Sequence, residues 1–135
     1  MRKLPPLARR RVRLEDKVQR DALSYLYTVV VPKPFVFAIP NAARRYKKNG
    51  QLGRAGNAVP GLRRGMPDLA MLYRERIYFL EAKADRPNAR LSDAQREVIE
   101  ELLERGFHVC AFKSIDDIRA ALVRWGIQTR EAKAA

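Results

Sequence analysis

The stretch GMPDLAMLYRERIYFLEAK, residues 65–83, decides how this chain folds. Two largely apolar runs, DLAMLY and RIYFLEAK, meet at the charged residues Arg74 and Glu75. Short apolar runs rich in aromatic and aliphatic residues, parted by a brief polar break, predict two strands joined by a tight turn. Alternate residues of a strand share a face. Ile77, Phe79, Glu81 and Lys83 therefore point one way, and Tyr78, Leu80 and Ala82 the other. Antiparallel pairing lays the start of the first strand beside the end of the second. Asp68, directly after Pro67, then comes within reach of Glu81, with Lys83 alongside. Two carboxylates converging at a sheet edge repel each other unless a cation joins them. Oxygen ligands with room for several waters suit magnesium or manganese.

Outward from this pair, helical and extended patterns alternate. Residues 14–30 predict a helix with Leu14, Val18, Ala22, Tyr25, Leu26 and Val29 on one face. The run VPKP ends it, because proline cannot continue a helix. FVFAIP, residues 35–40, reads as a short strand. Residues 40–64 carry Gly50, Gly53, Gly56 and Gly61 among basic groups with little periodicity, which predicts a long loop with at most a helical turn at 41–48. Loops of this length inside a compact domain are often functional. After residues 84–90, a helix is expected from about 93 to 105. Ser92 and Gln95 have capping-box spacing, and Gly106 supplies the stop. FHVCAF reads as a strand. A last helix, 115–125, places Ile115, Ile118, Leu122 and Trp125 on one face, and TREAKAA reads as a frayed tail. The order α-β-β-β-α-β-α predicts an α/β domain with a mixed β-sheet flanked by helices. Its divisions are a basic arm with a Pro-Pro break (1–13), one domain (14–126) and a tail (127–135), in keeping with a length of 135 residues.

Charge narrows the function. The chain holds 28 Lys and Arg against 15 Asp and Glu, a net of +13. Residues 1–64 hold 16 basic and 3 acidic groups, while residues 65–135 hold 12 of each, so the whole excess lies in the first half. So one-sided an excess favours a polyanion, nucleic acid before membrane, since no basic amphipathic helix with a bulky apolar face appears there. One cysteine, Cys110, and one histidine, His108, allow neither an internal disulfide nor a Cys/His zinc site, and both read as structural residues. A single histidine also disfavours a histidine-metal nuclease. No GxxxxGK[ST] motif points to an ATP-driven motor. The N-terminus lacks the apolar core of a signal peptide, and no run nears the roughly 20 apolar residues of a membrane span. A cytoplasmic setting is expected, that of a bacterial cell or a phage-infected host.

The first helix offers a third carboxylate. At helical spacing Glu15 falls near the middle of the stripe of Val18, Ala22 and Leu26, while Asp16 falls toward solvent. A glutamate on a buried face needs a partner. The sheet site is one, and the helix dipole at a first turn is another. Each charged group also has an ordinary use: Asp68 in a turn, Glu81 with Lys83 as an exposed ion pair, Gln95 as a cap. Their joint occurrence at the end of paired strands in a basic chain favours a site.

GMPD followed by EAK resembles the PD-(D/E)XK nuclease signature. The ordered set LEDKVQRDALSYL, IPN, the basic glycine-containing loop, RRGMPDLAML, YFLEAKAD and LSDAQREVIEELLERGFHVCAFKSIDDIRAAL resembles the VRR-NUC branch in order and spacing over about residues 14 to 123. The resemblance implies a restriction-endonuclease-like core. It matches Glu15 to a first-helix glutamate, Asp68 and Glu81 to metal-holding acids, and Lys83 to the catalytic lysine. Gln95 matches a glutamine that often follows. It implies a Mg²⁺ or Mn²⁺ cofactor held by Asp68, Glu81, the Ala82 carbonyl and Glu15, directly or through water. The partner implied is DNA, branched as in a Holliday junction, and the short stand-alone members imply a homodimer. Its contact would come from the apolar stripe of the last helix or from FVFAIP. Arg44, Arg45, Lys47, Lys48, Arg54, Arg63 and Arg64 are expected to bind backbone phosphates, which positions a duplex without reading its sequence. Alternatives are a non-catalytic DNA-binding protein of the same fold and a sequence-specific restriction-type endonuclease. An RNA target also stays open.

Overall fold

The computed structural model describes residues 6–40, 47–48, 51–52, 60–83 and 90–131, with side chains described over 15–40, 60–83 and 90–131. Helix α1 (Pro6–Val29) is followed by β1 (Phe35–Ala38), β2 (Lys47–Lys48), β3 (Gln51–Leu52), β4 (Leu69–Tyr73) and β5 (Arg76–Ala82). Then come α2 (Asp93–Glu104), β6 (His108–Phe112) and α3 (Ile115–Arg124). One sheet has the order β1-β4-β5-β6. β4 pairs antiparallel with β1 and β5, and β6 joins β5 in parallel, so the sheet is mixed. Its parallel step is made through α2, as a crossover connection requires. The expected order and the mixed, helix-flanked sheet are observed.

The tight turn is Arg74-Glu75, between the paired residues Tyr73 and Arg76, with φ of 46° and 65°. Positive φ at both central positions matches the twist of the flanking strands. The two faces of β5 part as alternation requires. Leu69, Met71, Tyr78, Leu80 and Ala82 meet α1 through Ala22, Leu26 and Val29, and α3 through Ile118, Ala121 and Leu122. Cys110 lies in this core, and burial pushes its thiol up to about 11. His108 is stacked on Tyr78 and lies beside Trp125, a structural position. The opposite face carries Phe79, against Phe107, and Glu81.

Four details differ from expectation. α1 starts at Pro6, within the stretch read as an arm, because proline is tolerated at a first helical turn and the following Leu, Ala and Arg residues favour helix. A small antiparallel hairpin, β2 with β3, lies in the stretch read as loop; the candidate helical turn falls partly outside the described residues. The tail is tied down at its start. Ile127 is buried, Thr129 bridges Val30, and Glu131 accepts from Tyr25 and Arg119. The apolar stripe of α3 is spent on the core and is not an open dimer face.

Candidate active site

The register places the site. Leu69 opposes Leu80, so the residue before β4 stands opposite Glu81. The contact is reciprocal: the Asp68 N–H donates to Glu81 Oε2 at 3.0 Å, and the Ala82 N–H donates to Asp68 Oδ2 at 2.9 Å. Asp68 is fixed from its other side by β1, whose continuation donates Ile39 N–H to the Asp68 carbonyl at 2.8 Å. Beyond β5, Lys83 N–H donates to Phe112 O, which extends the ladder to β6 and holds the lysine in line.

Helix α2 closes this corner. Its capping box is formed as expected: Ser92 Oγ accepts from Gln95 N–H, and Gln95 Oε1 accepts from Ser92 N–H at 2.9 Å. The same oxygen accepts from Lys83 Nζ at 3.0 Å, and the Gln95 amide nitrogen donates to Glu81 Oε1. Because Ser92 N–H and Lys83 both demand an acceptor, the amide oxygen faces them and the amide nitrogen is left for Glu81. The helix cap therefore sets the orientation of a side chain that touches both charged groups. Lys83 Nζ also stands 3.6 Å from Glu81 Oε1.

The loop that delivers Asp68 rests on the same helix turn. Gly65 has φ +89°, and a Cβ there would lie 2.4 Å from Ala94 O. Only glycine meets both the backbone angle and the close approach. Sequence alone does not single out this residue; a glycine three positions before the aspartate is its one signal. Arg63, in the same loop, pairs with Glu101 of α2.

Glu81 is 2% exposed and Lys83 8% exposed, whereas Asp68 and Gln95 are half-buried. Burial pushes the Glu81 carboxyl up to about 8, and the charge of Asp68 adds to this; Lys83 and the Asp68 N–H oppose it. An isolated buried ion pair would not need a second acid, so the pair of carboxylates costs stability unless something positive joins them. The groups that meet here are the carboxylates of Asp68 and Glu81 and the ammonium of Lys83, with two backbone N–H groups and the Gln95 amide nitrogen donating to the acids. Carboxylate oxygens are hard ligands of the kind that Mg²⁺ or Mn²⁺ takes.

The structure brings together Asp68, Glu81, Ala82, Lys83 and Gln95. Glu15 is half-buried one turn before Val18, and Asp16 is half-buried as well, so burial does not separate them as expected. Among the described residues no group of three His, Cys, Asp or Glu side chains is assembled that could hold a metal. Arg44, Arg45 and Arg54 lie outside the described residues, Lys47 and Lys48 form β2, and Arg63 and Arg64 are exposed.

The mixed four-stranded sheet flanked by helices is consistent with a restriction-endonuclease-like α/β core. The VRR-NUC domain model matches residues 38–115, more than half of the chain, and the chain belongs to that family. It is thus a nuclease-family domain with DNA as its class of partner. Neither the curated proteins nor the solved structures give a match. Among the described residues, no helix is long and apolar enough to cross a membrane.

Proposed function

We propose that the protein is a metal-dependent DNA endonuclease that hydrolyses phosphodiester bonds, with branched DNA its preferred substrate. The observation that carries this reading is the single hydrogen-bonded network joining Asp68, Glu81, Lys83 and Gln95 at the end of β4 and β5. Asp68, Glu81 and the Ala82 carbonyl would hold Mg²⁺ or Mn²⁺, with Glu15 contributing directly or through water. The bound ion would acidify a water and offset charge on the phosphate.

Lys83 would act as a fixed positive charge. Its ammonium is buried and held by Gln95, so it cannot swing to solvent. Placed beside the scissile phosphate, it would stabilise developing negative charge or orient the attacking water. Gln95 would keep Glu81 and Lys83 apart in direction while touching both. Arg64 and the basic residues of 44–54 would bind the flanking phosphates. A homodimer would present two such sites to two strands related by a two-fold axis, which suits paired nicks across a four-way junction.

The test is direct. Purified protein is incubated with linear, nicked, flapped and four-way DNA in Mg²⁺, Mn²⁺ or EDTA, with light scattering on the same sample. Metal-dependent cutting of opposed strands in junctions by a dimer is the expected result. No cleavage of any DNA in either metal removes the nuclease reading. Equal cutting of every substrate by a monomer removes junction selectivity alone.

A further inference from the structure

The face of the sheet that bears the carboxylates is not fully covered. Strand β1 sits at the sheet edge, and its burial alternates: Val36 enters the core while Phe35 and Phe37 are 64% and 39% exposed. Register places these two rings on the carboxylate face. Phe37 opposes Ala70, and Ala70 opposes Phe79, which shares its face of β5 with Glu81. Phe35 opposes Leu72, itself exposed. The two phenylalanine rings stand side by side with centroids 5.9 Å apart. Adjacent strands lie about 4.8 Å apart and residues rise about 3.4 Å each, which puts the Phe37 Cα roughly 8 Å from that of Asp68. That is about two base steps of a DNA strand.

Exposed aromatic rings grouped on one face call for an occupant. We infer that Phe35 and Phe37 form a platform on which unpaired bases of the DNA substrate stack beside the catalytic carboxylates. Three observations favour bases over a second copy of the chain. The platform shares its face with the site, so whatever covers it must leave a DNA strand room to reach Asp68. The strand also lies within the 64 residues that carry the entire charge excess, which attracts a polyanion. Finally, every base offers a flat face to an aromatic ring, so stacking needs no sequence-reading element, and it rewards strands whose bases are already free. The platform thereby supplies a physical origin for selecting branch points and flaps over intact duplex, where stacked pairs hide their faces. This rests on reading the neighbouring cluster as a nuclease centre.

The experiment measures binding in EDTA, where no cleavage is required. The probes are a blunt duplex and a flapped DNA with 2-aminopurine at successive unpaired positions near the branch, with Phe37→Ala, Phe35→Ala/Phe37→Ala and Phe37→Trp compared to the parent. The expected result is quenching of 2-aminopurine one to three positions from the branch. Both alanine variants lose that quenching, their flap-to-duplex affinity ratio falls roughly ten-fold, and Phe37→Trp retains it. Both rings are exposed, so melting curves should stay near that of the parent. An unchanged ratio, or an equal loss on both probes, overturns the inference. So does a fall in molar mass by light scattering in the alanine variants, which would assign the face to a second copy. Failure of the nuclease reading looks different: the parent quenches 2-aminopurine in EDTA yet cuts nothing in Mg²⁺ or Mn²⁺.

Discussion

Asp68, Glu81 and Lys83 illustrate how register brings together three residues with ordinary separate uses. Asp68→Ala and Lys83→Ala are each expected to slow cleavage by about 10²-fold or more. Circular dichroism should show the fold intact, and full cleavage by Asp68→Ala would contradict the assignment. The buried Glu81 carries a second prediction. Its folded pKa is raised, to about 8 from an ordinary 4.5. Between these values the unfolded chain has released the proton that the folded chain still holds. The contribution of Glu81 to metal-free stability is therefore fully present below about pH 4.5 and is lost, by an amount on the order of a few kcal/mol, as pH rises toward 8. Glu81→Gln should flatten that fall. Melting curves in EDTA across pH 4.5–8.5 check both, and a parent that gains stability over this window would refute burial of Glu81 as the controlling term.

At the scale of elements, the first turn of α2 serves two purposes. It caps the helix correctly and also aims Gln95 at Glu81 and Lys83. Ser92→Ala should cost about 1 kcal/mol of stability through the lost cap. Because the Gln95 backbone loses its anchor, cleavage should fall as well, and Ser92→Thr should restore both. Denaturant unfolding and single-turnover rates separate the two effects; a stability loss with an unchanged rate would reduce the cap to a structural device. Gly65→Ala brings strain at positive φ together with a clash against Ala94 O. It should destabilise by roughly 1–3 kcal/mol and shift Asp68, so the rate loss should exceed that of Ser92→Ala.

Across the whole molecule the decisive quantity is the placement of charge. The second half is electrically balanced and supplies β4, β5, β6, α2 and α3, while the first half, which adds α1 and β1, carries the net +13. If about five basic groups meet duplex phosphates, log K should fall against log[salt] with a slope of roughly −4 to −5. Filter binding from about 50 to 300 mM salt in EDTA measures it, and a flat response would mean that the basic half does not face DNA. Glu101 already holds Arg63 and Arg105. Glu101→Gln should therefore release Arg63 to phosphate and tighten duplex binding modestly, read in the same titration.

Local pattern alone determined much of this protein. Alternation assigned Leu80 and Glu81 to opposite faces, the break at Arg74-Glu75 set the antiparallel pair, and Ser92 with Gln95 marked the start of α2. Each of these depends only on neighbours a few residues apart, where period and turn chemistry are unambiguous. The start of α1 at Pro6, the β2/β3 hairpin and the anchoring of residues 127–131 were not visible in the same way. Helix propensity around the arginines of α1 is weakly informative, and the Thr129–Val30 bridge spans nearly the whole domain. Only the tertiary structure decided that Gln95 bridges Glu81 and Lys83, that Gly65 lies against Ala94, and that Phe35 and Phe37 share the face of the carboxylates. The reason is physical: these relations join segments far apart in the chain, and their geometry is set by sheet register and helix docking rather than by any local preference.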